Sequence, residues 1–200
     1  KTALAATWLR RLGEDPAIAW QIFGARCRPG RLARPWGPFS DLLQGALGGH
    51  AIDRAALESL PGLAPPDEPL LRDARATALA RLLGVEGGLG ASEPVASAGQ
   101  RALAFDAYAG WLRAMVGEGA VLVLEDLQWA RDGTLDLLRH LGEACRDVPL
   151  VVLALTRRDA ADDLLARLAS LREAIASVRV RPLKAKATRL LVAALGADLD

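Results

Sequence analysis

Two short segments of this 200-residue chain are apolar at nearly every position, and a helical pattern follows each of them. Residues 120–125 read AVLVLE, and residues 149–155 read PLVVLAL. A strand that is apolar on both of its faces is typical of a parallel sheet with helices packed on both sides. The second half of the chain therefore predicts an α/β fold in which strands and helices alternate.

Apolar spacing predicts further elements before and after these strands. A helix is expected over 1–12, a buried strand over 17–24, and a mainly helical insertion over 25–119 with a small-residue loop at 85–99. The second half predicts three more helices, at 133–146, 160–175 and 185–195. It also predicts a less covered strand at 178–182, because Val and Arg alternate there.

Composition and charge exclude several classes of protein. Hydrophobic residues make up 52% of the chain, which is enough for a sizeable core, so disorder is not expected. Lys and Arg number 25 and Asp and Glu 24, and a net charge of +1 gives no overall attraction for nucleic acid. No apolar run approaches the roughly 18 residues of a membrane span. We expect a cytoplasmic protein with reduced thiols at Cys27 and Cys145, no membrane partner and no direct nucleic acid contact by this segment.

Two adjacent acids, Glu125 and Asp126, end the most apolar strand. Ligands of α/β sheets bind beyond the carboxyl ends of the strands, and two carboxylates there could hold Mg²⁺ and polarise a water molecule. Acids also commonly mark the point where a strand meets solvent. The pair taken alone favours that second, structural interpretation.

Two further features favour a nucleotide site. Lys1-Thr2 precedes an amphipathic helix, as do the last two positions of a phosphate loop, which reads G-x-x-x-x-G-K followed by Ser or Thr. The glycines of such a loop and the strand before them would lie upstream of residue 1. Arg157 comes just after the strand at 149–155, where a cation could sense a terminal phosphate. Taken alone, Arg157 is better interpreted as a solvent-exposed arginine.

Together these residues resemble a known family. The run LVLEDLQWARDGTLDLLRHL, residues 122–141, is similar to the Walker B region of AAA-type ATPase domains in large bacterial signalling proteins, the STAND branch of the P-loop NTPases. Such domains occur in LuxR-type large ATP-binding transcriptional regulators and beside adenylate cyclase or Ser/Thr kinase domains. The segments WGPFSDLLQGAL and RPLKAKATRLLVAAL also resemble their family counterparts.

The resemblance implies a fold with a defined strand order. It is a three-layer P-loop NTPase fold with a parallel sheet, a missing first (phosphate-loop) strand, and a long helical insertion between the second and third strands. The strand order would be 17–23, 120–125, 149–155, an absent strand, then 178–182. Residues 1–183 would form the ATPase core, and residues 184–200 the start of a helical lid.

The resemblance also implies roles for individual residues. Lys1 and Thr2 would be the phosphate-loop lysine and the Mg²⁺ ligand, and Glu125 and Asp126 the Walker B acids that serve metal and catalysis. Which acid faces the metal stays open. Arg157 would be a sensor-like arginine. The family usually has Asp-Pro after Trp-Ala, whereas this chain has Arg131-Asp132, which puts any role of that acid in doubt.

The function implied is a regulatory module that binds Mg·ATP, hydrolyses it slowly and switches an attached signalling or DNA-binding output domain, with self-association possible. One alternative is a scaffold on an ATPase fold that binds protein partners without nucleotide. A DNA-handling ATPase is a further alternative, which a dense basic face would support. Other polar residues have plainer interpretations: His140 pairs with Asp136 on a helix surface, Trp129 packs under the next helix, and the arginines from Arg26 onward lie in a solvated loop.

Overall fold

A three-stranded parallel sheet organises the computed structural model, which describes residues 1–15, 19–30, 35–85 and 97–194. The strands are β1 (Gln21–Arg26), β2 (Ala120–Glu125) and β3 (Leu150–Ala154), in the spatial order β1-β2-β3. Both pairs are parallel, and every residue of β2 before Glu125 is buried. The predicted α/β class, the parallel sheet and the order of these three strands are confirmed.

Helices fill the chain between β1 and β2, as the sequence predicts. The described helices up to that point are α1 (Thr2–Glu14), which precedes the sheet, and then α2 (Gly37–Ala46), α3 (Arg54–Glu58), α4 (Pro69–Leu83) and α5 (Ala98–Val116). Local chemistry sets where they begin, because the first N–H groups of a helix need acceptors. Asp53 accepts from the Ala56 N–H at 2.7 Å to cap α3, and Ser97 forms a reciprocal capping box with Gln100 at the start of α5. The predicted loop at 85–99, with its Gly-Gly-Leu-Gly run, lies almost entirely outside the described residues.

Aromatic side chains join the insertion to the sheet. Tyr108, on α5, packs edge-to-face on Phe39 of α2 and on Trp111, with ring centroids 5.4 and 5.0 Å apart. Trp111 in turn meets Phe23 of β1 at 6.3 Å. The buried Tyr108 hydroxyl donates a hydrogen bond to the Phe39 carbonyl at 2.8 Å, which satisfies the polar group that its burial removes from water. These contacts fix α2 and α5 over one face of the sheet.

Two glycines allow the loop between α3 and α4 to touch α5 backbone to backbone. A Cβ atom added at Gly110, in the middle of α5, would lie 2.3 Å from the Gly62 carbonyl oxygen. One added at Gly62 would lie 2.2 Å from the Gly110 carbonyl oxygen, and Gly62 also has a left-handed φ of +69°. Arg72 and Arg75, on α4, hold the same loop by donating to its carbonyl groups. The contact leaves no room for a side chain at either glycine.

The chain after β2 runs helix, strand, helix as predicted as far as Arg167, and its helices need one correction. The helices are α6 (Asp132–Ala144), α7 (Ala161–Arg167) and α8 (Ala185–Ala194). The single helix predicted over 160–175 is wrong, because α7 ends at Arg167 and a 3₁₀ turn takes its place over Ala169–Ala174. The turn brings Leu171 against Gly142 of α6, where an added Cβ would lie 2.7 Å from the leucine side chain. Tertiary packing on α6 therefore overrides the helical spacing.

Two strand predictions also need correction. β1 begins at Gln21 and ends at Arg26, later than the predicted 17–24, because its ladder with β2 pairs Gln21 with Ala120 and Arg26 with Glu125. Residues 178–182 form no strand, and Val178 and Val180 are 84% and 44% exposed. Alternating side chains do not supply the backbone partners that a strand requires, and within the described residues this segment has no ladder.

Helix α1 is attached to the rest of the fold by few buried groups. Ala5 is its one buried residue, while Leu4 and Trp8 are 59% and 42% exposed. The contact that ties its start to the sheet is made by Lys1 and is described below. Among the described residues, no helix combines the length and the apolar character that crossing a bilayer requires.

Candidate functional site

The carboxyl ends of the three strands meet at one edge of the sheet. Parallel strands point the same way, so residues that follow them gather at a common edge, the place where α/β folds bind ligands. β1 ends at Arg26, β2 at Glu125 and β3 at Ala154. This edge is the candidate functional site, and each strand brings different chemistry to it.

Arg26 pairs with the first acid. Its Nε donates to Glu125 Oε2 at 2.9 Å, a second guanidinium nitrogen contacts the same oxygen, and Nε lies 3.4 Å from Asp126 Oδ2. The hydrogen bond that Arg26 donates to Glu125 and the charges of both acids raise the pKa of Arg26. The prediction of a solvated-loop arginine is therefore wrong for Arg26, because the ladder register places it directly beside Glu125. Arg28 is exposed, as predicted for that loop, and residues 31–34 lie outside the described residues.

Asp126 occupies an unusual backbone conformation. Among the described residues it is the only non-glycine with a positive φ, at 55°. Asp tolerates this left-handed region better than most residues, and such conformations occur often at functional sites. The turn lets the ends of β2 and β3 stay joined, because Leu127 N–H donates to the Leu155 carbonyl at 2.9 Å and Leu155 N–H to the Leu124 carbonyl at 2.8 Å. Asp126 is therefore held outward from a rigid edge.

Gln128 bridges Asp126 to the end of β3. Its Nε2 donates to Asp126 Oδ1 at 3.1 Å, and its Oε1 accepts from the Arg157 N–H at 3.1 Å. The Arg157 side chain is exposed, so the structure engages this residue through its backbone. Gln128 is not among the site residues predicted from the sequence. Its spacing two residues after Asp126 was the available signal, but its second partner lies 29 residues away.

Lys1 reaches the same edge from the far end of the sequence. Its Nζ donates to the carbonyl of Thr156, 155 residues away, and its own carbonyl accepts from the Ala5 N–H at 2.9 Å in the first turn of α1. Thr2, the first helical residue, is exposed beside it. The structure thus places Lys1, Thr156 and Arg157 at the same edge of the sheet as the two acids. The Thr156 hydroxyl is buried there without a hydrogen-bond partner among the described residues.

Arg131 and Asp132, where the family usually has Asp-Pro, have other partners. Arg131 donates to the Gly30 carbonyl at 3.3 Å, and Asp132 accepts from Arg167 of α7 at 2.6 Å. Both residues are therefore engaged in holding loops and helices around the edge. The sequence-based doubt about a catalytic role for this acid agrees with these contacts.

Other residues singled out from the sequence have structural roles. His140 Nε2 lies 3.1 Å from Asp106 of α5, whereas Asp136 pairs with Arg139, so the predicted His140–Asp136 pair is wrong. Trp129, which we expected to pack under the next helix, is 42% exposed. The cysteines are free and buried as expected, and burial together with the charge of Asp126 raises the pKa of the Cys27 thiol to about 11.

The donor set at the edge fits a metal that is shared with a ligand. Glu125 and Asp126 present carboxylate oxygens, which Mg²⁺ prefers. The described residues contain no group of three or more His, Cys, Asp or Glu that could hold a metal ion by themselves. Mg²⁺ commonly uses one or two carboxylates and completes its shell with phosphate oxygens and water. The two acids therefore suit Mg²⁺ that arrives with a nucleotide, and the Lys1 ammonium suits the phosphates.

The parallel sheet, its flanking helices and its acid-bearing edge define an α/β domain of the P-loop NTPase type. Residues 1–153 match the family described as AAA ATPase domain, which is more than half of the sequence, and the chain belongs to that family. Searches of curated proteins and of solved structures each found no significant match.

Proposed function

We propose that this domain binds Mg·ATP at the carboxyl edge of the sheet and hydrolyses it slowly, as a regulatory module of the STAND type. Membership of the AAA ATPase domain family supports nucleotide binding. The observation that carries the proposal is the arrival of Lys1 at Thr156, from 155 residues away, on the edge where β2 presents two acids. A cation for phosphate and carboxylates for metal then share one edge.

The roles of the two acids follow from their surroundings. The Asp126 side chain is 46% exposed and that of Glu125 is 23% exposed, and Arg26 engages Glu125 more closely. We assign Asp126 to the metal side, while Glu125 orients the attacking water and Thr2 adds a hydroxyl ligand. When bound, Mg²⁺ would neutralise charge that develops on the phosphates. Lys1 holds the phosphates, and Arg157 contributes its exposed guanidinium toward the terminal phosphate.

The wider setting is proposed from the resemblance. Nucleotide binding would favour one of two states of the protein and so switch an attached signalling or DNA-binding output domain in the cytoplasm. Residues 1–183 form the ATPase core in this proposal, and α8 begins a helical lid. LuxR-type regulators and cyclase or kinase fusions are the protein types in which such a module acts.

Substitution of the acids separates binding from hydrolysis. We expect Asp126→Asn and Glu125→Gln each to leave the Mg·ATP dissociation constant within about threefold while slowing hydrolysis roughly 10- to 1,000-fold. Each change keeps the shape of the side chain and removes the charge that places metal and water. Equilibrium binding and single-turnover hydrolysis in the full-length protein measure the two effects separately.

Glu143→Gln is the matched control, since Glu143 lies on α6 away from the strand ends. It should change neither quantity. Parent rates of hydrolysis in both acid variants would mean that the pair merely ends the strand in solvent.

A second function has one observation in its favour. Arg26 already neutralises Glu125, as a purely structural ion pair would. In this alternative the ATPase fold is a scaffold that binds protein partners without nucleotide. Absence of Mg·ATP binding to the full-length protein, with the output activity retained in both acid variants, would support the scaffold and contradict the ATPase.

A further inference from the structure

One peptide group at the end of β3 is contacted from both of its sides. Lys1 Nζ donates to the carbonyl oxygen of Thr156. The N–H of Arg157, which belongs to the same peptide unit, donates to Gln128 Oε1 at 3.1 Å. The Lys1 and Gln128 side chains lie far apart in the sequence, so the Thr156–Arg157 peptide is the shared element between them.

The orientation of the Gln128 amide follows from its partners. A backbone N–H can only donate, so the atom that faces Arg157 must be the amide oxygen. The amide nitrogen therefore faces Asp126 and donates to Oδ1 at 3.1 Å. An ionised carboxylate only accepts, so both ends of the amide are matched to their partners. Gln128 is thus a directional link from the peptide to the acid.

These contacts form a continuous chain of polarised groups. A cation on a carbonyl oxygen makes the N–H of the same peptide a stronger donor, and successive hydrogen bonds of this kind strengthen one another. The chain runs from the Lys1 ammonium through the Thr156–Arg157 peptide and the Gln128 amide to the Asp126 carboxylate. We call it the Lys1–Asp126 relay.

We propose that Gln128 is a positioning residue that couples the state of Lys1 to the orientation of Asp126 through this relay. The inference rests on the proposed function, because a bound nucleotide supplies the phosphate toward which Lys1 turns. Phosphate oxygens are charged and attract an ammonium more strongly than a neutral carbonyl does. When Lys1 turns toward phosphate, the Thr156–Arg157 peptide loses its cation. The strength of the hydrogen bond that Gln128 donates to Asp126 then changes as well.

The first test needs no nucleotide. In the full-length protein, Lys1→Ala should shift the NMR resonances of the Arg157 backbone amide and of the Gln128 side-chain NH₂, although Lys1 does not contact Gln128. Lys186→Ala, on the exposed helix α8, is the matched control and should leave both resonances in place. Unchanged Gln128 resonances in Lys1→Ala would overturn the relay.

The second test asks what the link does for function. Gln128→Met keeps the length of the side chain and removes both hydrogen bonds, so hydrolysis should slow roughly 10-fold or more while Mg·ATP affinity stays within about threefold. Gln128→His can still accept with one ring nitrogen and donate with the other, and should restore part of the rate. Gln44→Met, at an exposed position of α2, is the matched control.

The outcomes are distinct. A parent hydrolysis rate in Gln128→Met, or an equal loss of binding and rate without rescue by Gln128→His, would overturn the positioning role. If Gln128→Met does not fold, Gln128→His and the Lys1→Ala resonances still decide the question. If no nucleotide binds, the proposed function fails. The relay is then judged by the nucleotide-free resonances alone: shifted Gln128 resonances in Lys1→Ala support it, and unchanged ones overturn it.

Discussion

Replacement of Lys1 by Ala should abolish measurable Mg·ATP binding, a loss of about 100-fold or more in affinity. Hydrogen bonds between a cation and phosphate contribute on the order of 1.5–3 kcal/mol each, and an ammonium has three donors. In the structure the Lys1 ammonium contacts only a carbonyl oxygen among the described residues, so its removal costs the fold little. Titration calorimetry of both forms of the full-length protein with Mg·ATP measures the effect.

Lys186→Ala controls for the loss of a positive charge, because Lys186 is an exposed lysine on α8. It should bind Mg·ATP as the parent does. Equal affinities for the parent and for Lys1→Ala would remove the phosphate-binding role of Lys1, and with it the observation on which the proposed function rests.

Replacement of Gly110 by Ala should strongly destabilise the helical insertion. The added methyl group would lie 2.3 Å from the Gly62 carbonyl oxygen, so α5 and the 59–68 loop would have to separate. Because Arg72 and Arg75 hold that loop in place, we expect the free energy of unfolding to fall by about 3–5 kcal/mol. Urea denaturation followed by circular dichroism gives this value directly.

Gly99→Ala is a matched control in the same helix. Nothing lies within 4 Å of a Cβ atom at Gly99, and its φ is not in the left-handed region. Alanine should therefore be neutral there or raise the stability by about 0.5–1 kcal/mol, since it favours helix more than glycine does. Similar effects at both positions would show that the backbone contact between Gly62 and Gly110 contributes nothing to the free energy of unfolding.

Strands that are apolar at nearly every position were the most predictable part of the fold. β2 matches its predicted bounds and is buried up to Glu125. β3 lies within its predicted range, but the prediction that both of its faces are covered is wrong, because β3 is an edge strand of the described sheet and its Val151 and Ala154 are exposed. The prediction for β1 lies too early in the sequence, because hydrophobicity marks the run 17–24, whereas pairing with β2 sets where the strand begins and ends. The Val-Arg alternation at 178–182 met no partner strand within the described residues and so formed none.

The candidate site was predictable only in part for a related reason. Glu125, Asp126 and Arg157 follow strands and could be found from the sequence, and the lysine was found from its motif position. The partners of the acids depend on register and on contacts between distant segments. Arg26 faces Glu125 because of the ladder, and Gln128 reaches Arg157 across the end of β3. Neither pairing leaves a local pattern in the sequence.

Because α1 is weakly attached, the contact made by Lys1 should be lost at a lower temperature than the one at which the sheet unfolds. Ala5 is the one buried residue of that helix, whereas β2 is covered on both faces. Segments with few buried groups open at a lower free-energy cost than the core does. On warming, α1 should therefore detach while the sheet and the insertion stay folded. A protein that has lost its Lys1 contact in this way would still give a native-like far-ultraviolet spectrum, so the temperature at which it stops working lies below the one at which it melts.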